Sequence, residues 1–328
     1  MRGLRLFFGC LVLGLLGCNH SADSESDREI CTCEPSPENR AYTQRYQPGR
    51  GALLATRFST LDEFKHVVQI EHLPTPTAPQ DTATAVRLRH CSHGQALSSL
   101  LTAGISQKDI TKAKASGFWA QLKLLFRAPE VIGHRADLKR IYVLARRRPL
   151  EFGEGDIAFF DFAETMVANI NTFDLAFRFP RDTTEKGYLN TFNHINAQAF
   201  LTSIFSEELA DYVADLHERK NMPELITGVF SDSQLTDPNN NPVDNYVDMV
   251  NNEWGQELGK QLGQRYGIDR RTQWSPQLLA DYLNDLQAYY TWAFNIGFRP
   301  YVPEDELVIT FAVKLNHVLD DAYPWAET

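Results

Sequence analysis

The chain has 328 residues, of which 43% are hydrophobic, and its 42 acidic and 32 basic side chains give a formal net charge of −10. This acidic balance argues against nucleic acid and anionic lipid headgroups as principal partners, because both are recognised through an excess of positive charge. The length and hydrophobic content are sufficient to bury one large core or two smaller ones.

Residues 1–17 have the composition of a signal peptide. Arg2 and Arg5 precede an apolar run from Leu6 to Leu16, and this order is typical of secretion signals. The run is too short for a membrane-spanning helix, which needs roughly 20 apolar residues. Removing the segment takes away two of the 32 basic side chains and none of the 42 acidic ones, so the net charge becomes −12.

The sequence at the end of this segment, Leu15-Leu16-Gly17-Cys18, resembles the lipobox of bacterial lipoproteins. The resemblance implies cleavage before Cys18, which would then carry the lipid, including palmitate, and hold the protein on a membrane. Asn19 is not aspartate, and in enteric bacteria this resembles the class sorted to the outer membrane. We therefore expect an envelope protein anchored in the outer membrane and facing the periplasm. An ordinary cleaved signal and an uncleaved anchor are the alternatives.

Residues 18–50 are polar and are predicted to form a flexible, disordered tether. In an oxidising periplasm the cysteines beyond the anchor can form disulfides. Cys31 and Cys33 are too close to pair comfortably with each other, so we expect one of them to bond Cys91. A metal site made from Cys31, Cys33 and His93 is the alternative.

Apolar residues recur at spacings of three and four from about residue 84 onward, a pattern typical of helices. Capping signals predict an earlier helix after Thr60 and two late helices, one after Ser275 and one opening at Pro303. The sequence therefore predicts an all-α domain over residues 51–328, an irregular multi-helix orthogonal bundle. Its other helical segments are expected at 96–104, 117–127, 137–146 and 156–170.

Three predicted helices between residues 188 and 259 carry many groups that can bind a metal or move a proton. In the third, Gly255, Gly259 and Gly263 recur every four residues. Glycine costs roughly 1 kcal/mol against alanine inside a helix, so this spacing predicts a closely packed neighbouring helix. The polar side chains are Asn193, His194 and Gln198, then Asp211, Asp215, His217 and Glu218, then Asp244, Asp248, Asn251 and Asn252.

This pattern resembles an uncharacterised bacterial domain family over residues 185–265, about a quarter of the chain. The family has Arg-His-x-x-Trp-Asn on one helix, His-Glu ending a second, and Met-Asp-x-x-Asn-Asn-x-x-Gly on a third. Asn193 stands where the family often has arginine, and Gln198 lies near its asparagine. The resemblance implies no activity. The matching residues are His194, His217, Glu218, Asp248, Asn251, Asn252 and Gly255.

We predict that the three helices meet in one cleft and that His194, His217 and Asp248 could hold a divalent metal. In hydrolytic sites of this kind the protein leaves one position open for water, whose pKa falls toward about 7. In the periplasm the reachable substrates would be phospholipid, peptidoglycan or other envelope polymers. The corresponding function is metal-assisted hydrolysis of an envelope substrate.

In the same hypothesis Glu218 or Asp215 is the general base. Asn251 or Asn252 would orient the substrate or a developing oxyanion. The sequence has no His-Glu-x-x-His, Gly-x-Ser-x-Gly or Walker-type motif, so it indicates no established hydrolase class.

A noncatalytic envelope lipoprotein that binds or scaffolds another protein is the alternative. The polar groups would then form a buried hydrogen-bonded network, in which His217 could pair with Asp248. The aromatic segment 289–301 could bind an envelope partner, although it is also consistent with a core helix. The arginine run 146–148 is interpreted as a solvated helix end that complements the helix dipole.

Overall fold

A computed structural model describes residues 36–74, 83–117, 119–120, 123–124, 133–227, 229–236 and 242–321. These residues all belong to one compact unit. The predicted signal peptide, the lipobox with Cys18, and the first half of the predicted tether lie outside them. Within the described part of the chain, no helix is both long enough and apolar enough to cross a bilayer.

The described residues are mostly helical, which confirms the coarser prediction of fold class. Two short 3₁₀ turns, Ala55–Arg57 and Pro180–Thr183, lie in segments that connect helices. The helices, numbered along the chain, are α1 Pro37–Tyr46, α2 Leu61–Phe64, α3 Gln107–Ser116, α4 Arg135–Leu144, α5 Pro149–Phe152, α6 Phe159–Asn169, α7 Phe173–Ala176, α8 Tyr188–Ile204, α9 Glu207–Glu218, α10 Glu224–Thr227, α11 Asp232–Thr236, α12 Pro242–Tyr266, α13 Pro276–Phe294 and α14 Glu306–Leu319.

A three-stranded antiparallel sheet shows that the strictly all-α prediction was wrong. Strands β1 Val68–Pro74, β2 Ala83–Ser92 and β3 Gln95–Thr102 pair in the order β1-β2-β3. A tight turn at His93 and Gly94 joins β2 to β3, and both residues have left-handed backbone with φ of 50° and 82°. This backbone suits a two-residue hairpin because its twist matches that of the strands.

Strand β3 occupies most of the segment 96–104 that was predicted to be helical. Leu97 and Leu101 lie four residues apart, and this spacing fits one face of a helix as well as one face of a strand. In β2 the alternation is clear, because Val86 and Leu88 are buried and Arg87 between them is only partly covered. Alternation of this kind signals a half-buried strand.

Helix α1 falls within residues 18–50, so part of the segment predicted to be a flexible, disordered tether is helical. The Ser36 side chain caps the helix by accepting from Asn39 N at 3.2 Å. Tyr42 is buried and its hydroxyl donates to Arg57 O at 3.1 Å. Burial of an aromatic ring with a satisfied hydroxyl holds this segment on the body.

Cys91 takes part in a disulfide. All other cysteines of the chain lie outside the described residues, so its pairing with Cys31 or Cys33 stays a prediction.

The later helices follow the sequence pattern closely. Helix α4 covers most of the predicted 137–146, and α6 lies within 156–170. The Ser275 hydroxyl accepts from Leu278 N at 3.1 Å and caps α13 as predicted. Helix α14 begins at Glu306 instead of Pro303. The prediction at 117–127 falls mostly outside the described residues.

The close packing of α8 against α12 places the polar residues of both helices side by side. A Cβ atom on Gly255 would lie 2.8 Å from Ile195 O, and one on Gly259 would lie 2.6 Å from Ala199 O. The Ser203 hydroxyl also donates to Gly259 O at 2.8 Å. The glycine spacing therefore predicted this helix contact correctly.

We expect Gly259→Ala to lower the free energy of unfolding by about 1–3 kcal/mol, because the new methyl group would press on the α8 backbone. Gly263→Ala is the matched control, since its Cβ would meet no atom closer than 3.4 Å. That variant should be neutral or gain up to about 1 kcal/mol from helix propensity. Urea unfolding of both variants measures the difference, and equal effects would contradict the proposed tight contact.

Candidate metal centre

Three side chains from two neighbouring helices converge on one point. His194 lies near the middle of α8, and His217 and Glu218 are the last two residues of α9. One possible ligand atom from each lies within 4.8 Å of the other two. Among the His, Cys, Asp and Glu side chains of the described residues, this is the one group of three that meets at such distances.

The side-chain amide of Asn252, on α12, lies between His194 and Glu218. His194 Nδ1 is 2.9 Å from Asn252 Oδ1, and Asn252 Nδ2 donates to Glu218 Oε1 at 3.1 Å. An amide oxygen can only accept, so Nδ1 of His194 is the protonated nitrogen in this arrangement. His194 Nδ1 and Glu218 Oε1 are themselves 3.8 Å apart.

The second nitrogen of His194 faces Asp248 on α12. His194 Nε2 is 3.4 Å from Asp248 Oδ2. Asp248 therefore pairs with His194, and the alternative pairing of Asp248 with His217 is not formed. The His217 ring instead lies edge-on to the His194 ring, with centroids 5.8 Å apart.

Burial makes Glu218 a weak acid. Desolvation raises the pKa of Glu218 to about 8, and the nearby Asp248 adds to the increase. His194 and the hydrogen bond from Asn252 act in the opposite direction. The carboxyl group is therefore largely protonated at neutral pH, and a bound cation would have to displace that proton.

Three further polar side chains, those of Asn190, Asp244 and Lys186, influence Asp248. Burial and the nearby Asp244 raise its pKa, while Lys186 and the hydrogen bond from Asn190 oppose the increase. Asn190 Nδ2 donates to Asp248 Oδ1 at 2.6 Å, and Lys186 forms an ion pair with Asp244. Sequence reasoning missed Asn190, although it precedes His194 by four residues and so shares its helix face.

His217 connects the cluster to solvent. Its side chain is exposed, whereas Glu218 is buried and the His194 side chain is 10% exposed. Desolvation of the ring by the surrounding protein, with a smaller effect of His194 and Lys220, lowers the pKa of His217. Its imidazole is therefore neutral at pH 7, which is the form that binds a metal.

Asp215, one of the two predicted general bases, makes its contacts elsewhere. Arg219 Nη2 forms an ion pair with Asp215 Oδ2 at 2.6 Å, and Arg219 Nε donates to Thr102 O at 2.8 Å. Desolvation raises the pKa of Asp215 to about 7 even though Arg219 opposes the change. These contacts attach α9 to the end of β3.

Asn251 binds the backbone of another segment and does not contribute to the cluster. Its Oδ1 accepts from Leu53 N at 2.7 Å and its Nδ2 donates to Leu53 O at 2.9 Å. The amide thereby binds both backbone polar groups of Leu53 in the N-terminal segment, so Asn252 is the amide that bridges His194 and Glu218. Gln198 is also engaged away from it, since its Oε1 accepts from Gln256 Nε2 at 3.2 Å.

Comparison of the chain with protein-family models, with curated proteins and with solved structures finds no match. The resemblance of residues 185–265 to an uncharacterised domain family, like the lipobox resemblance, therefore stays a prediction.

We expect Glu218→Gln to make the stability of the protein less dependent on pH. The pKa of Glu218 rises from 4.5 to about 8 on folding. The free energy of unfolding is therefore not reduced by this group below pH 4.5, where the carboxyl is protonated in both states. Between pH 4.5 and about 8 the free energy of unfolding falls by up to about 1.4 kcal/mol per pH unit. Glutamine cannot ionise, so the variant should lack this loss. Urea unfolding across the interval, with a chelator present, measures it.

Glu257→Gln on α12 is the matched control. Hydrogen bonds from Lys260 and Gln261 lower the pKa of Glu257, so this substitution should remove a stability contribution that is lost on acidification. If the free energies of unfolding of Glu218→Gln and of the parent chain changed with pH in parallel, the burial of an ionisable Glu218 would be contradicted.

Proposed function

We propose that this protein is a lipid-anchored envelope protein whose cluster of His194, His217 and Glu218 binds a divalent metal ion for hydrolysis. The convergence of three ligand atoms within 4.8 Å carries this proposal. Hydrolytic zinc sites commonly use three protein ligands of these types and keep a fourth position for water. The exposed side of His217 supplies the route by which water and an ion would enter.

The distances suit zinc after small side-chain movements. Tetrahedral ligands at bonds of about 2.0–2.1 Å lie roughly 3.3 Å apart, and His194 Nδ1 and Glu218 Oε1 are separated by 3.8 Å. The Asn252 amide now occupies this gap, so it would have to rotate away when an ion enters. Rotation would free the Nδ1 lone pair once the proton moves to Nε2.

Asp248 is placed to accept a hydrogen bond from the resulting Nε2–H group of His194. Its Oδ2 lies 3.4 Å from His194 Nε2, and metal-bound histidines usually donate their other N–H to a carboxylate or carbonyl. Asn190 holds Asp248 from the other side. We therefore assign Asp248 the role of orienting His194, in place of the direct ligand role predicted from sequence.

The metal would supply a bound water that ionises near neutral pH. Asn252, released from His194, would donate its Nδ2–H group to an oxygen of the substrate. Phospholipid, peptidoglycan and other envelope polymers are the substrate classes that the proposed location makes accessible.

The Asn252 bridge also favours a second candidate function, a structural latch in a noncatalytic envelope lipoprotein that binds another protein. The amide satisfies His194 on α8 and Glu218 on α9 without any ion. A fully satisfied polar network of this kind can fix the register of packed helices.

Zinc titration of the full-length chain carrying Cys18→Ser distinguishes the two functions. His217→Ala should weaken zinc binding by about tenfold or more and leave the fold intact, because the side chain is exposed. His317→Ala, which removes an exposed histidine from α14, is the control. Asn252→Asp should tighten zinc binding because it places a carboxylate between His194 and Glu218. The rates at which these variants hydrolyse a panel of phospholipid and peptidoglycan substrates should rank them in the same order as their zinc affinities.

Equal zinc binding by the parent chain and His217→Ala would rule out the metal site. Asn252→Asp would then only destabilise the fold, with no recovery on adding zinc, as the latch requires.

The anchor is tested by fractionation of cells and by incorporation of labelled palmitate. Cys18→Ser should move the protein from the membrane fraction to the soluble fraction and abolish labelling, because the acylated sulfur is absent. Cys10→Ser, within the apolar run of the signal segment, is the control and should leave both unchanged. Membrane retention of the unlabelled Cys18→Ser protein would indicate an uncleaved anchor.

A further inference from the structure

A groove of about 680 Å³ lies where α4 ends and α6 begins, and no residue of the metal centre lines it. This volume falls within the range of about 300–1,000 Å³ that is typical of small-ligand sites. Its lining combines three consecutive arginines with three large apolar or aromatic side chains. These residues are Tyr142, Arg146, Arg147, Arg148, Leu150 and Phe160.

The groove is positively charged although the whole chain is acidic. Three arginines line it against two carboxylates, Glu151 and Asp161, whereas the chain as a whole has a net charge of −10. Local positive charge of this kind attracts anions independently of the sign of the total charge.

The three guanidinium groups differ in whether they already bind a carboxylate. Arg147 binds Asp161 through both Nε and Nη2, and Arg148 forms an ion pair with Glu151. Among the described residues, Arg146 has no carboxylate within ion-pair distance. Its guanidinium carbon lies 5.0 Å from the centre of the Tyr142 ring.

The Tyr142 ring carries a second cation, since the Arg148 guanidinium carbon lies 5.8 Å from the same ring centre. Two like charges that share one ring repel each other, and Glu151 neutralises only one of them. A phosphate oxygen between Arg146 and Arg148 would relieve this repulsion and accept charge-assisted hydrogen bonds from both.

The backbone beneath the arginines is fixed by a buried ion pair. The side chains of Lys314 and Asp156 are each 1% exposed, and Lys314 Nζ lies 2.9 Å from Asp156 Oδ2. Lys314 Nζ donates to Arg146 O at 3.0 Å, and Arg148 N donates to Asp156. The positions from which the arginine side chains extend are therefore held before any ligand binds, which reduces the entropy cost of binding.

Apolar side chains beside these charges are left in water. Leu150 is fully exposed, and Tyr142 and Phe160 are 46% and 36% exposed. Arginine next to protruding leucine and aromatic rings is the composition of protein surfaces that lie in the headgroup region of a bilayer.

We infer that this groove binds the phosphate group of a membrane lipid, with Arg146 and Arg148 on the phosphate and Leu150 and Phe160 against the glycerol and first acyl carbons. Free phosphate would use the arginines but would leave Leu150 exposed. An acidic peptide would likewise gain little from the apolar side chains. A membrane lipid is the ligand class that contacts both the arginines and the apolar side chains of the groove.

Calorimetric titration of the full-length chain carrying Cys18→Ser tests this inference. The probes are dihexanoyl phosphatidylglycerol below its micelle concentration, inorganic phosphate, and a hexaglutamate peptide. Arg146→Gln should weaken lipid binding by about tenfold or more, the effect of losing a charge-assisted hydrogen bond. Leu150→Ser should weaken binding of the lipid and leave phosphate binding unchanged. Arg271→Gln, in a separate groove of about 640 Å³, is the control and should bind like the parent.

One-site lipid binding that is lost in Arg146→Gln and kept in Arg271→Gln supports the inference. Equal losses in these two variants, or no binding by the parent chain, would overturn it. Binding of inorganic phosphate as tight as that of lipid, together with no effect of Leu150→Ser, would replace the lipid site by a simple anion site. Tighter binding of hexaglutamate than of lipid would likewise overturn it.

Discussion

Gly255 and Gly259 let α8 and α12 approach until a methyl group at either position would lie under 3 Å from the opposing backbone. This contact determines where the polar residues of the site can lie. His194 projects from α8 at the level of Asp248 and Asn252 on α12, and both contact its ring at 3.4 Å or less. A wider helix separation would let water in between them, and the histidine would lose the partners that orient it.

The same contact has an electrostatic cost. Together with the packing of α9 on both helices, it removes Glu218 and Asp248 from water, and this burial is the largest cause of their raised pKa values. Two buried carboxyl groups beside one histidine are stable as long as protons or a cation balance their charge. A latch would balance it with protons, and a metal site would balance it with the ion. Both candidate functions therefore use one network, and they differ in which positive charge enters it.

The sequence predicted the helical character and the close approach at the glycines, because these depend on spacing within a few helical turns. The expectation that His194, Glu218 and Asn252 share one cleft came from the polar groups of three consecutive predicted helices, which are 24 to 58 residues apart. The sequence could not separate the two neighbouring asparagines. Asn251 binds the backbone N–H and C=O of Leu53, and that contact spans 198 residues of chain. The sheet was missed for a related reason, since a spacing of four residues satisfies a helix face and a strand face alike.

The two hydrogen bonds between Asn251 and Leu53 also connect the site mechanically to the N-terminal part of the described residues. Leu53 is fully buried, and its carbonyl additionally accepts from the Thr191 hydroxyl at 3.0 Å. A pull on the N-terminal segment would load this clamp, which holds α8 and α12, once the contacts of residues 42–52 had broken. The residue that bears the load immediately precedes Asn252, so tension at one end of the molecule would strain the bridge between histidine and glutamate.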